Sequence, residues 1–149
     1  MPRPVSAPEV ARMLADGREI AFIDVREITE FGTAHPLLAA NLPLSRLELS
    51  IPCAVPRLAT RVVLLDGGGG EADLAANRLA ELGYADVGVL DGGAPAWAAA
   101  GLALFPEIEV PAKGFGAFAR AYGRTNFIES RELAQWLEGG LERGENCIV

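Results

Sequence analysis

Short apolar runs and helix-spaced apolar stripes alternate along the first hundred residues. Ile20-Ala21-Phe22-Ile23 leads into Asp24-Val25-Arg26, and its brevity reads as a buried strand with its exit loop. Arg61-Val62-Val63-Leu64-Leu65 is β-branched and almost continuously apolar, which suits a central parallel strand covered on both faces. Val87-Gly88-Val89-Leu90 predicts a further strand, turned by Asp91-Gly92-Gly93. Between these runs lie helical stripes. Leu74, Ala75, Arg78, Leu79 and Leu82 recur at helical spacing up to Gly83, and Ala94 to Ala100 form a short helix stopped by Gly101. Near the start, Ser6-Ala7-Pro8-Glu9 has the form of a capping box, with Val10, Met13 and Leu14 as its stripe and Asp16-Gly17 as its stop. Strand and helix in this rhythm imply an α/β fold: an open parallel sheet with helices on both faces.

Residues 105–126 carry Pro106, Pro111, Gly114, Gly116 and Gly123, the composition of a linker. The start of the chain then recurs. Ile128-Glu129-Ser130-Arg131-Glu132-Leu133-Ala134-Gln135-Trp136-Leu137 aligns with Val5 to Leu14 without a gap, and Gly144 to Val149 resembles Gly17 to Ile23. This reads as a tandem repeat, with a domain at 1–104, a linker at 105–126 and the truncated start of a second repeat at 127–149. Residues 127–138 are expected to form a helix whose stripe of Leu133, Trp136 and Leu137 needs covering, by the first domain or by another copy of the chain.

Composition narrows the function classes. Of 149 residues, 20 are acidic and 13 are Lys or Arg, a net charge of -7, so nucleic acid and anionic membrane surfaces are unsuitable partners. No apolar run has the length of a membrane span and Met1-Pro2-Arg3-Pro4 lacks a signal-peptide core, so a cytoplasmic protein is expected. Two cysteines, Cys53 and Cys147, and one histidine, His35, give neither a disulfide framework nor a metal site, and no cofactor is expected.

Particular landmarks go further. Asp24-Val25-Arg26-Glu27 with Glu30-Phe31, the segment around His35, Asn41-Leu42-Pro43 and Leu82-Gly83-Tyr84 resemble those of rhodanese-like domains. Leu90-Asp91-Gly92-Gly93-Ala94-Pro95-Ala96-Trp97 with Ala100-Gly101-Leu102 is the most specific stretch of that likeness, which covers about residues 5–104. The resemblance implies a mainly parallel five-stranded sheet and kinship with thiosulfate sulfurtransferases.

It also implies a departure. In active members the strand corresponding to 61–65 delivers a cysteine that carries sulfur as a persulfide, beside backbone amides and a helix N-terminus that favour a thiolate. Here that position is Asp66, followed by Gly67, Gly68, Gly69 and Gly70, and the position where many members place an arginine is Glu71. A carboxylate cannot form a persulfide. At about 6 Å and an effective dielectric of ~20, each added negative charge also repels each donor charge by roughly 3 kcal/mol, about a hundredfold. The expectation is a degenerate, non-catalytic loop in which Asp66 accepts the loop amides and caps the following helix. An aspartyl phosphatase is excluded because its second aspartate would fall on Gly68, and a P-loop because no lysine follows the glycines.

Asp24, Arg26 and Glu30 are expected to be structural residues near that loop, with Arg26 and Glu30 paired across the short helix suggested by Glu27–Phe31. His35 is expected to make a structural hydrogen bond, and Cys53 and Cys147 to be ordinary buried or half-buried thiols. Trp97 and Trp136 read as core or interface residues. The expected partner is an adjacent rhodanese-like repeat in a longer chain, with self-association through 127–138 a further prospect. The alternative is a stand-alone module that binds a ligand or protein at the former active-site face.

Overall fold

The computed structural model describes residues 2–106, 130–131 and 133–135. The chain divides into two compact units, residues 1–114 and 115–149. In the first unit the elements run β1 (Arg3–Val5), α1 (Ala7–Ala15), β2 (Ile20–Asp24), α2 (Ile28–Phe31), β3 (Ala40–Asn41), a 3-10 turn (Leu44–Arg46), α3 (Leu47–Ala54), β4 (Arg61–Leu65), α4 (Glu71–Glu81), β5 (Asp86–Leu90) and α5 (Gly93–Ala99). Five strands form one sheet in the order β1-β5-β4-β2-β3, and every pairing is parallel.

The apolar run 61–65 lies in the middle of the sheet, as its lack of polar alternation demands. Successive side chains of a strand point to opposite faces, so β4 feeds two cores. Val62 and Leu64 pack with Leu47 and Ile51 of α3 and with Ala72, Ala75, Ala76 and Leu79 of α4. Val63 and Leu65 pack with Val10 and Met13 of α1, Phe31 of α2 and Trp97 of α5. These four apolar residues of β4 are 0% exposed, and fully burying each such side chain stabilises by about 1.5–3 kcal/mol. The doubly covered sheet is settled largely by this strand.

β1, β3, the 3-10 turn and α3 escape the apolar pattern. β1 is an edge strand with a proline at its centre, Pro4, and pairs Arg3 to Val5 with Gly88 to Leu90. α3 contains Pro52, a residue that normally ends helices, but on an exposed stretch while Leu47 and Ile51 face the core. The helix starting near Ser6 is present without a capping box. Ser6 is the N-cap residue but makes no side-chain cap bond. Glu9, the residue expected to reach back to it, instead accepts a hydrogen bond from Arg3 Nη1 at 3.2 Å.

Cys53 is exposed on α3 rather than buried or half-buried, because the core-facing positions of that helix are taken by Leu47 and Ile51. His35 is buried, with Nδ1 2.8 Å from Phe31 O and its ring stacked on Phe31. Its backbone forms an antiparallel bridge with Phe105, at the first position of the expected linker. Trp97 is buried beside Phe22 and donates its indole N–H to Ala103 O at 3.1 Å. Of the expected second repeat, Ser130, Arg131 and Leu133–Gln135 are helical. The remainder of 127–149, with Trp136, Leu137 and Cys147, and most of the expected linker lie outside the described residues.

Candidate functional site

Asp66 follows β4 directly, at the C-terminal edge of the sheet where ligands of open α/β folds generally bind. The residue is 4% exposed. Its carboxylate is enclosed by main-chain donors: Gly68 N–H donates to Oδ1 at 2.7 Å, and Gly70 and Ala72 N–H groups donate to Oδ2 at 2.8 and 3.2 Å. The turn needed to aim these amides inward requires φ of 90° at Gly68 and 89° at Gly70, values that side chains rarely tolerate. Glycine at these two positions is therefore a condition of the geometry. The Ala72 amide belongs to the first turn of α4, so the carboxylate also lies at the positive end of that helix.

The loop is clamped from its far side by the turn before α5. Ala94 N–H donates to the main-chain oxygen of Asp66 at 2.8 Å. A Cβ on Gly93 would lie 2.7 Å from Asp66 Oδ1 and 2.8 Å from Gly68 N, and closer still to the Asp66 carbonyl, so only glycine fits. The sequence marks Gly92-Gly93 as a turn after a strand. That the second glycine is a packing surface for a loop some 25 positions earlier is visible only once β5 lies beside β4.

Beneath the glycine loop sits Arg26. Its expected ion pair with Glu30 is not the one formed. Arg26 pairs instead with Asp24, Nη2 to Oδ2 at 2.6 Å and Nε to Oδ1 at 2.9 Å, and donates from Nη2 to Ala34 O at 2.8 Å. Helical spacing misled here because Arg26 precedes α2, which begins only at Ile28. The strand end, by contrast, turns Asp24 and Arg26 toward each other. Asp24 is 0% exposed and Arg26 7%, whereas Glu30 is exposed. Burial of a charged pair demands that every donor and acceptor be matched, and Asn41 adds to the network by donating Nδ2 to Asp24 O and Arg26 O. The guanidinium pKa is raised, chiefly by its hydrogen bonds to Asp24.

Glu71 opens α4, half-buried. Burial pushes its carboxyl pKa up; Glu30 and Asp66 push the same way, and Arg26 opposes them. A cleft of about 330 Å³ opens beside the loop, lined by Pro4, Asp66, Gly68, Gly70, Asp73, Val89, Leu90, Asp91 and Gly92. Among the described residues it contains three aspartates and no basic side chain. The amides of Gly68, Gly70 and Ala72 are already engaged by Asp66, and the surrounding carboxylates repel an anion. Among the described residues, no group of His, Cys, Asp or Glu is arranged to hold a metal ion.

A five-stranded parallel sheet with a tight amide loop between its central strand and the next helix defines a class of α/β domain. A model of the rhodanese-like domain matches residues 6–100, well over half of the chain, and the chain belongs to that family. The structure is similar to the crystal structure of a thiosulfate sulfurtransferase from Pseudomonas aeruginosa, at 42% identity and a TM-score of 0.81, over 96% of this chain and 26% of that one. The chain thus spans about a quarter of that protein. It is also similar to a human single-domain sulfurtransferase, at 28% identity and a TM-score of 0.59, over 66% of this chain and 96% of that one. The Alr3790 protein of Anabaena shares the fold at 21% identity and a TM-score of 0.64, over 74% of this chain and 99% of that one. No curated protein matches the chain. Among the described residues no helix is long and apolar enough to cross a membrane.

Proposed function

We propose that residues 1–104 are a non-catalytic rhodanese-like domain of a longer, thiosulfate sulfurtransferase-like protein, in which Asp66 replaces the sulfur-carrying cysteine. Residues 105–126 would link it to a second repeat beginning at 127–149, and its role is to position or regulate an active neighbouring repeat. The observation that carries this reading is the Asp66 carboxylate held by the amides of Gly68, Gly70 and Ala72. Sulfur transfer through a persulfide requires a thiolate to attack the outer sulfur of thiosulfate and release sulfite. A carboxylate in that place offers no sulfur to form the bond, and it fills the space that the incoming anion needs. Cys53, exposed near the end of α3, precedes no helix N-terminus that would make it a substitute. The likeness to a sulfurtransferase about four times as long supports the multidomain setting.

The test is thiocyanate formation from thiosulfate and cyanide by the purified chain. No turnover above a heat-killed control is expected. Asp66→Cys alone should restore little, because Glu71 still repels the donor, and Asp66→Cys with Glu71→Arg should restore more. Turnover by the unaltered chain would overturn the non-catalytic reading. A gene without a further strand-Cys-loop-helix pattern beyond residue 149 would remove the active neighbour.

A further inference from the structure

Three aspartates in the described fold are followed directly by glycine: Asp16-Gly17, Asp66-Gly67 and Asp91-Gly92. An Asp-Gly bond has a reactivity of its own. The glycine amide nitrogen can attack the carboxyl carbon of the preceding side chain, forming a C–N bond as the C–OH bond breaks and water leaves. Water then reopens the cyclic imide. Opening at the main-chain carbonyl leaves the chain running through the aspartate Cβ, an isomer of unchanged mass with one extra backbone atom. Glycine accelerates ring closure because no Cβ hinders the approach. Closure also needs a carboxyl group free to turn and an amide N–H not already donating.

The fold treats the three differently. Asp16 is gripped by Arg61, Nη1 to Oδ2 at 2.7 Å and Nη2 to Oδ1 at 3.0 Å, and by Arg18 N–H at 2.9 Å. Those contacts hold its pKa at about 2, so the protonated carboxyl from which water departs is scarce. Asp66 is buried and fixed by three amides. Asp91 and Gly92 are both exposed, and among the described residues the Asp91 carboxylate has no ion pair or hydrogen bond and Gly92 N–H no acceptor. We propose that Asp91-Gly92 is a modification site, where this chain isomerises spontaneously to isoaspartate and thereby loosens the Asp66 loop.

The coupling follows from the packing. Asp91 N–H is tied to Val5 O at 2.9 Å, which anchors the front of the turn on β1. Immediately behind it, Gly93 leaves no room for an added methyl against Asp66 and Gly68. An extra backbone atom between these two fixed points has to displace Gly92-Gly93 and the Ala94-to-Asp66 hydrogen bond.

The experiment ages the full chain at neutral pH and 37 °C, with a parallel sample in urea. Isoaspartate is then located by proteolysis, enzymatic carboxyl methylation and fragment mass spectrometry. In the folded chain isoaspartate should accumulate several-fold faster at Asp91 than at Asp16 or Asp66, while in urea the three should converge. Asp91→Glu should abolish the signal in that peptide. Hydrogen exchange at Gly70 and Ala72 should quicken in the aged protein and not in aged Asp91→Glu. Equal rates at the three sites in the folded chain, or protection of Asp91 relative to the urea sample, would overturn the site. Isoaspartate at Asp91 with unchanged exchange would overturn the coupling.

Discussion

Two neighbouring strands each deliver a buried aspartate at the C-terminal edge of the sheet, and the fold neutralises them by different means. Asp24, at the end of β2, faces the guanidinium of Arg26, two positions on. Among the described residues Asp66, just after β4, has no cation in hydrogen-bonding contact and is held by three backbone N–H groups. The first solution places a second charge in the interior, where neither partner can be removed without stranding the other. The second leaves a single charge among dipoles that belong to the chain itself, of which Gly68 and Gly70 are not fully buried. A side-chain pair should therefore be the stiffer and more costly feature to disturb, and an amide loop the more forgiving one.

Chemical denaturation can break this comparison. Asp24→Ala should lose about 3–5 kcal/mol, because it abandons Arg26 as an uncompensated buried charge; adding Arg26→Met should recover part of that loss. Asp66→Ala should lose less, about 1–3 kcal/mol, since water can reach some of the released amides. Equal losses would mean that the loop amides are as irreplaceable as the guanidinium. A third carboxylate, Asp16 at the end of α1, sharpens the contrast at the surface. Its pKa is lowered to about 2, first by its hydrogen bonds to Arg61. A depressed carboxyl pKa stabilises the fold above the unfolded value of 3.8 and ceases to do so as pH falls toward 2. The difference in urea midpoint between wild type and Arg61→Ala should therefore shrink across that acidic window and stay flat above about pH 5.

The smallest effect is expected at Glu71, where the sign reverses. Its raised pKa means that the folded state disfavours the ionised form, so its contribution to stability is present below the unfolded value of 4.5 and lost as pH rises through the folded one. Glu71→Gln should raise the melting temperature slightly at neutral pH and leave it unchanged near pH 4. A fall at neutral pH would show that the ionised Glu71 makes a stabilising contact that outweighs its burial and the repulsion from Glu30 and Asp66.

How far these features were legible depends on how local they are. Arg61 to Leu65 announces a doubly covered central strand because the requirement to be apolar on both faces is written in consecutive residues. The Asp66 loop was readable for the same reason, since donor, acceptor and glycines lie within seven positions. β1 was missed because Arg3-Pro4-Val5 becomes a strand only against Gly88 to Leu90, which are remote in sequence. The partner of Arg26 was misassigned because helical spacing was applied before the helix begins. The packing of Gly93 on Asp66 has no local signal at all.

The four glycines after Asp66 are not four equal constraints. Gly68 and Gly70 have positive φ, whereas Gly67 and Gly69 do not. A Cβ on Gly69 would meet nothing within 4 Å, and one on Gly67 would only touch the Arg26 side chain at 3.6 Å. The lock is made from main-chain atoms, so it reads torsion angles and is blind to side-chain identity at half of its positions. A lineage carrying this domain is free to rewrite residues 67 and 69 while the carboxylate remains bound. Loss of the glycine run is thus a poor guide to loss of the loop, and a change at position 68 or 70 alone is the informative one.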